Sequence, residues 1–273
     1  VPVGDLFMGA VLPGMVLVGL YIVYIVLISF LKPEWAPSIP AEELATLTPG
    51  VLFRKFSRAL VPPLFLILAV LGSIFAGVAS PTEAAGVGAV GATLLTILNR
   101  KFKLGVLREV MDSTMKLTSM VFIILVGAAA FGLVFRGMGG DELVRAFLGG
   151  IAENHGQWTV LAIVMGLIFI IGFFLDFIEI TFIHVPVLAP IMIDFGFDPV
   201  WFCILIAVNL QTSFMTPPFG FSLFYLKAVT PPEIRTGHIY RGIMPFVAFQ
   251  LFGLLVVVFF PILVTWLPSV VFR

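Results

Sequence analysis

Charged residues are scarce in this sequence. Lys, Arg, Asp and Glu together make up 11% of the 273 residues, and 60% are hydrophobic, whereas a soluble domain carries about 25% charged residues. So few charges cannot cover a water-soluble globule of this size, but a surface that faces lipid needs none. The formal net charge is zero, which favours neither a nucleic acid nor an acidic partner. The composition therefore predicts an integral membrane protein in a lipid bilayer.

Residues that form disulfides, metal sites and nucleophilic active sites are scarce as well. Cys203 is the single cysteine, so no disulfide can form within the chain, and no metal-ligand spacing is present. We interpret Cys203, inside an apolar run, as a small packing residue. The sequence also lacks the His-Glu-x-x-His motif and the Gly-x-Gly-Asp pairing of intramembrane aspartyl proteases. We therefore expect that the protein is not an enzyme.

The first apolar run lacks the features expected of an export signal. The chain begins at Val1 without an initiator Met, and no basic stretch precedes the first apolar run. This pattern argues against a secretory signal peptide. We expect a fragment or a processed chain.

Long apolar runs recur along the whole sequence. A helix needs about 20 apolar residues to span a bilayer, and a lipid-exposed backbone must satisfy its own hydrogen bonds. We therefore predict an all-α, polytopic transmembrane fold. The runs cover residues 6–31, 59–79, 82–98, 117–135 and 158–175, a proline-rich stretch at 177–193, an interrupted stretch at 200–226, and 243–267.

Two polar stretches between these runs are amphipathic. Residues 48–58 begin with Thr48 and Pro49, a favourable start for a helix, and residues 104–113 place apolar side chains on one face. Both patterns are typical of helices in the headgroup plane, with ordinary loop helices as the alternative. The same regions hold most of the basic residues, so the positive-inside rule predicts that both are cytoplasmic. The basic residues are Lys32, Arg54, Lys55, Arg58, Arg100, Lys101, Lys103, Arg108 and Lys116.

Ser80 and Glu83 flank Pro81 at the start of the third run. Ser followed three residues later by Glu predicts a capping box, and Pro suits the first helical turn. Glu83 is also the only charged residue between Ala59 and Asn99. Its carboxylate could instead be an ion ligand near the membrane surface, but we favour the structural cap.

Asp176, Glu179 and His184 lie inside the apolar stretch from Trp158 to Ile193. An ionisable residue costs at least about 2.5 kcal/mol inside a membrane on insertion scales, so such residues usually face a cavity or a partner. Gly172 and later prolines could interrupt the helix here, which would place Asp176 at a break. The alternative is that Asp176 marks a helix end at the membrane surface.

The segment from Asn209 to Gly220 interrupts the run at 200–226. Pro217 and Pro218 remove two backbone donors and disfavour helix at the residue before them. Irregular backbone at membrane depth is tolerated only when it is buried in protein or lines a cavity. Broken helices of this kind form the ion sites of secondary transporters. We predict a non-helical break over residues 209–220, with a packed proline kink as the alternative.

Small residues cluster at Gly127 to Ala130. Such residues allow helices to approach closely. They would also suit the tip of a re-entrant hairpin between about Thr118 and Leu148. The sequence leaves both interpretations open.

These motifs, in their order and spacing, resemble the large membrane subunit of the tripartite ATP-independent periplasmic (TRAP) transporters. The resemblance covers essentially the whole chain and is to the C-terminal half of that subunit. The matching pieces are Gly4 to Phe7, Pro13 with Gly14, Pro81 to Ala85, Gly172 to Asp176, Pro186 with Pro190, Gly196 to Val200, and Asn209 to Gly220.

The resemblance implies half of an inverted-repeat elevator transporter in the bacterial inner membrane. It implies Na⁺ as the coupling ion, small organic acids or related solutes as substrates, and a site that uses both halves of the permease. The implied partners are a small TRAP membrane subunit, a periplasmic substrate-binding protein and the N-terminal half of the same permease. By the same resemblance, residues 1–113 are scaffold-like, 114–241 are a transport-domain-like repeat, and 242–273 hold a terminal transmembrane helix.

The resemblance and the broken runs together select a candidate ion- and substrate-binding set. An elevator symporter of the Na⁺/dicarboxylate type that needs no binding protein, and a membrane subunit with a purely structural role, are the alternative functions. The candidate residues are Gly172, Asp176, Asn209, Thr212, Ser213, Thr216, Pro217, Pro218 and Gly220.

Overall fold

A computed structural model describes residues 1–35, 48–217, 220–231 and 233–271, and these residues are almost entirely helical. A short 3₁₀ turn, Pro33–Trp35, follows the first helix. The helices are α1 (Val3–Leu31), α2 (Pro49–Phe75), α3 (Pro81–Leu98), α4 (Leu104–Gly137), α5 (Gly140–His155), α6 (Gln157–Ile171), α7 (Phe177–Asp194), α8 (Pro199–Met215), α9 (Phe221–Val229), α10 (Thr236–Phe259) and α11 (Ile262–Val271).

Six of these helices are long and apolar enough to cross a membrane, counted over the described residues: α1, α2, α3, α4, α7 and α10. Their outer surfaces are rich in exposed large apolar side chains such as Phe30, Phe65 and Leu133. Such a surface is stable against lipid or against another apolar protein surface. The all-α, polytopic membrane fold predicted from the sequence is confirmed.

Residues 22–114 form one compact unit, in which α2 and α3 pack as an antiparallel hairpin. Glycines on α3 allow this close contact: a β-carbon on Gly88 would lie 3.2 Å from Val70 Cγ2, and one on Gly91 would overlap Leu66. Small residues at such positions let helix backbones approach within a membrane. The five-residue connection after α2 turns at Gly77, whose φ is +67°.

Residues 1–21 and 115–273 form the second unit. Its core surrounds α8, whose largely buried side chains pack against α6 and α10. Trp201 and Phe202 are 2% and 0% exposed, and the Trp201 indole donates a hydrogen bond of 2.9 Å to the Val257 carbonyl of α10. Helix α8 is therefore the element around which the neighbouring helices are positioned.

The two amphipathic stretches are not separate helices. Residues 49–58 are the start of α2, and residues 104–113 are the start of α4, with no interruption in either helix. In α4 no proline or glycine separates the polar part from the apolar part, so the helix continues, and α2 continues through Pro62 and Pro63. At about 1.5 Å per residue, both helices exceed the roughly 30 Å of a hydrocarbon core.

Of the two interpretations of Gly127 to Ala130, the hairpin tip is wrong, because these residues lie within the continuous helix α4. Small residues other than proline do not by themselves end a helix. The chain turns instead between Gly137 and Gly140, where Gly139 has a φ of +76°. A β-carbon on Gly140 would overlap the Phe135 ring, so this turn needs glycine for space as well as for its backbone conformation.

Candidate functional site

The helical run through α6 ends at Gly172. The Gly172 amide bonds to the Ile168 carbonyl at 2.8 Å, and the next amides close a tight turn, with Phe174 N 2.9 Å from the Ile171 carbonyl. Helix begins again only after Asp176, whose carboxylate accepts a 2.8 Å hydrogen bond from Phe177 N. The sequence prediction of an interruption at Gly172 is confirmed, and Asp176 stands at the N-terminal cap of α7.

Asp176 and Glu179 therefore do not share a face of one continuous helix. Asp176 precedes α7, and Glu179 lies in the first turn. Five residues, Ile180–His184, then form a wider π turn, a feature often found at functional sites. Pro186 explains the local widening, because it lacks the amide that an α-helical turn would use.

A buried polar strip runs along one face of α8. Asn209, Thr212 and Ser213 are 1%, 0% and 0% exposed, although they lie in a helix that is otherwise mostly apolar. The Asn209 amide donates to the Met165 carbonyl of α6 at 2.7 Å. Buried polar groups are normally hydrogen-bonded, and this bond joins α8 to α6.

The hydroxyls of the strip bond within their own helix. Thr212 Oγ1 donates to the Val208 carbonyl, and Ser213 Oγ donates to the Leu210 carbonyl, both at 2.8 Å. A hydroxyl that donates its single proton in this way keeps lone pairs that can accept or coordinate. The strip therefore presents oxygen atoms within the buried part of the protein.

The break after α8 is narrower than the sequence predicted. Asn209, Thr212 and Ser213 are helical, and α8 ends at Met215, so a non-helical segment over all of residues 209–220 is wrong. Pro217 explains the position of the end, because a proline disfavours the α conformation only at the residue before it. That residue, Thr216, is extended, with φ −98° and ψ 132°.

Helix begins again at Phe221 after the interruption. Thr216 Oγ1 donates to the Thr212 carbonyl at 2.8 Å, and the Gly220 amide reaches the Thr216 carbonyl at 3.2 Å. A β-carbon on Gly220 would lie 2.8 Å from the Phe214 carbonyl, so only glycine fits there. Pro218 lies outside the described residues.

The two interruptions meet in space. Gly172, at the end of α6, lies so close to α8 that a β-carbon would overlap Ser213 Oγ. Beyond the first break, the ring of Phe177 contacts that of Phe214, with centroids 6.1 Å apart. The sequence suggested each break separately, and the fold places them against each other.

The meeting point offers oxygen ligands. Backbone carbonyls at the ends of α6 and α8 keep a lone pair beside the hydrogen bond that each accepts, hydroxyl oxygens lie on the buried face of α8, and the Asp176 carboxylate is at the cap of α7. Hard cations prefer such oxygen atoms. The arrangement is suited to a small hard cation and has no nucleophile paired with a base.

The other face of α8 is mainly apolar, with Gln211 as a polar residue at its edge. A cavity of about 560 Å³ lies between this face, the start of α7 and Leu6. Its α8 lining includes Ala207, Leu210 and Phe214, which recur at helical spacing and lie on a different face from Asn209 and Ser213. Helix α8 therefore separates a polar strip from an apolar cavity.

The capping box predicted at Ser80 is confirmed. Ser80 N donates to Glu83 Oε2 at 2.7 Å, and Glu83 N lies 3.4 Å from Ser80 Oγ. Both orphan donors at the start of α3 are thereby satisfied. Glu83 has the structural role that the sequence favoured.

Sequence reasoning missed one buried polar pair. Gln250 in α10 is 0% exposed, and Tyr21 of α1 donates its hydroxyl proton to the Gln250 side-chain oxygen. The isolated amide in the apolar run 243–267 was the available signal. This pair joins α1 to α10.

Comparison with known proteins identifies the family. A family model described as "Tripartite ATP-independent periplasmic transporter, DctM component" matches residues 1–263. The chain belongs to this family. The resemblance noted in the sequence is thus confirmed, and with it the expectation that the protein is not an enzyme, because the relatives are transporter permeases.

Three relatives illustrate the range of this DctM family. The chain is 29% identical to the C4-dicarboxylate TRAP transporter large permease protein DctM of Pseudomonas aeruginosa, over 98% of this chain and 58% of the relative. It is 27% identical to the ectoine TRAP transporter large permease protein TeaC of Halomonas elongata, over 99% and 61%. It is 26% identical to the sialic acid TRAP transporter permease protein SiaT of Haemophilus influenzae, over 80% and 34%.

The chain spans about half the length of these relatives, between 34% and 61%. Membership of the DctM family, together with six apolar helices among the described residues, makes it a multi-pass protein of the bacterial inner membrane.

Proposed function

We propose that this chain is part of the membrane permease of a Na⁺-coupled importer that depends on a substrate-binding protein. Its substrates are small organic acids or related solutes, since relatives are named for C4-dicarboxylates, sialic acid and ectoine. The partners are a small membrane subunit, a periplasmic binding protein and the N-terminal half of the permease. The transport mechanism is of the elevator type, with a re-entrant hairpin in the moving domain.

The meeting of the two helix breaks supports this proposal most directly. Gly172 and Ser213 are in contact, so the carbonyls of the turn that ends α6 lie beside the hydroxyl-bearing last turn of α8. Broken helices whose unwound carbonyls coordinate Na⁺ recur in secondary transporters.

Asp176 would contribute charge to the same region. Carboxylate oxygens are ligands that hard cations prefer, so a negative charge at the cap of α7 would help to neutralise a bound cation. Asn209, Thr212, Thr216, Pro217, Pro218 and Gly220 would shape the α8 side of the site.

The test is transport by the complete assembly in proteoliposomes. The complete permease, with its small subunit and its binding protein, is supplied with C4-dicarboxylate, ectoine or sialic acid. The proposal predicts uptake of at least one substrate that needs both an inward Na⁺ gradient and the binding protein. Equal uptake without the binding protein would contradict the proposal and indicate a symporter that needs no binding protein. No uptake of any substrate under either condition would favour a structural subunit.

A further inference from the structure

The open end of the α2–α3 hairpin holds a cavity that the transport proposal does not use. Gly91 packs on Leu66 and Gly88 on Val70, which fixes the antiparallel register of the two helices. Eight residues before Leu66 in α2 is Arg58, and eight residues after Gly91 in α3 is Asn99, so the antiparallel register places Arg58 level with Asn99. A cavity of about 540 Å³ lies there, lined by Arg58, Leu95, Thr96, Asn99 and Lys101.

The end of α3 brings Lys101 to the cavity. Arg100 has a φ of +55°, its amide bonds to the Ile97 carbonyl at 2.8 Å, and the Lys101 amide bonds to the Thr96 carbonyl at 3.0 Å. These two bonds form a Schellman motif, which turns the chain sharply at a helix end. Lys101 therefore returns beside Thr96 instead of continuing along the helix axis.

The cavity is positively charged, and none of the described residues that line it is a carboxylate. Arg58 and Lys101 both line it, and among the described residues no Asp or Glu oxygen lies within 4.0 Å of either cation, the ion pair of Arg145 with Asp194 being elsewhere. The neighbouring charges in the chain, Arg54, Lys55, Arg100 and Lys103, have the same sign. Guanidinium and ammonium groups without a protein counter-ion attract phosphate.

The surface that borders the cavity is apolar. Val61, Phe65, Leu94 and Leu98 are 55%, 70%, 53% and 76% exposed, and they belong to helices long and apolar enough to cross a membrane. A ligand that satisfies both surfaces has an anionic phosphate joined to hydrocarbon chains. Basic pockets between transmembrane helices bind such headgroups.

We propose that the cavity bounded by Arg58 and Lys101 binds the phosphate of an anionic phospholipid, with the acyl chains along the outer face of α2 and α3. Arg58 and Lys101 contact the phosphate oxygens. Thr96 and Asn99 donate their protons to backbone carbonyls, at 2.9 Å in each case, and border the headgroup. The site is separate from the helix breaks and does not depend on the transport proposal.

The test measures lipid retention and thermal stability of the complete permease, purified in detergent. Cardiolipin, phosphatidylcholine with the same acyl chains, and inorganic phosphate are added in separate arms. Cardiolipin should raise the unfolding temperature and remain bound in native mass spectrometry, whereas phosphatidylcholine and inorganic phosphate should do neither. A response to phosphate alone that equals the cardiolipin response would show a free-anion site and overturn the proposal, as would an equal response to phosphatidylcholine.

Paired variants test the location. Arg58→Gln with Lys101→Gln should weaken cardiolipin binding about tenfold or more, since each basic residue adds to the attraction for anionic lipid. Both residues are exposed, so folding without lipid should be unchanged. The control, Arg108→Gln with Lys116→Gln, removes the same charge outside the cavity and should bind like the wild type. Equal weakening in both pairs would mean non-specific attraction and contradict the site.

Discussion

Gly172 of α6 lies against Ser213 of α8 with no space for a β-carbon between them. This contact joins the end of one interrupted helix to the last turn before the other interruption. It depends on glycine because of space alone, since Gly172 has an ordinary helical backbone with φ −64°. Any larger side chain here must therefore displace Ser213 or the helix that carries it.

Gly172→Ala should destabilise the permease by about 1–3 kcal/mol, the usual cost of adding a carbon to a packed core. The measurement is the thermal unfolding temperature, together with uptake by the complete transporter. Gly166→Ala is the matched control, because it lies in the same helix with nothing within 4 Å of the added carbon. Adding Ser213→Gly to Gly172→Ala should restore part of the lost stability. A double-mutant cycle in which the two substitutions have additive effects would refute the contact.

Asn209→Leu should destabilise the protein by about 1 kcal/mol, the scale of an interhelical hydrogen bond in a membrane. Leu has a similar size but cannot donate to the Met165 carbonyl, which now accepts at 2.7 Å. The comparison is with Asn154→Leu, whose amide bonds to the Gly150 carbonyl of its own helix. Equal unfolding temperatures for the two variants would mean that the Asn209 bond does not hold α6 to α8.

The sequence predicted where the helices are interrupted because proline and glycine act locally. The missing amide of Pro217 and its effect on Thr216 are properties of neighbouring residues, and the Ser80 cap needs only the three residues after it. The second break is shorter than the sequence predicts, because polar residues such as Asn209 remain helical. A buried helix can contain such residues once another helix supplies partners.

The contacts between distant segments could not be predicted in this way. Nothing local relates Gly172 to Ser213, or Asn209 to Met165, because these pairs are brought together by the packing of α6 on α8. The Gln250 and Tyr21 pair is separated by even more of the chain. Apolar runs specify which segments enter the membrane, but not which faces meet within it, since lipid and protein are equally apolar.

Asp176→Asn in the complete transporter should raise the Na⁺ concentration for half-maximal uptake about tenfold, equivalent to about 1.4 kcal/mol of lost ion binding. Asn is as good an N-cap as Asp, so the start of α7 is preserved while the charge is removed. Asp198→Asn is the control, because Asp198 caps α8 at Trp201 N, 2.8 Å away, at the opposite end of that helix from the break. Superimposed Na⁺ curves for Asp176→Asn and wild type would leave Asp176 with a capping role alone.

Proteoliposomes that contain only this 273-residue polypeptide should show no Na⁺-driven uptake above empty vesicles. The proposed site uses both halves of the permease, and the chain spans only about half the length of its relatives. The positive control is the complete permease under the same gradient. Robust uptake by the polypeptide alone would show that its own residues, or copies of it, complete the site.

Ser213→Ala tests the central claim most directly, that Na⁺ binds where the breaks of α6 and α8 meet. The variant removes one buried hydroxyl oxygen beside Gly172 and creates little strain. Ser73→Ala is the matched control, because Ser73 Oγ also donates to a carbonyl three residues earlier, at 2.7 Å, but lies in α2. In the complete transporter, Ser213→Ala should raise the Na⁺ concentration for half-maximal uptake about fivefold, equivalent to about 1 kcal/mol, while Ser73→Ala matches the wild type. Identical Na⁺ dependence in all three proteins would contradict the claim.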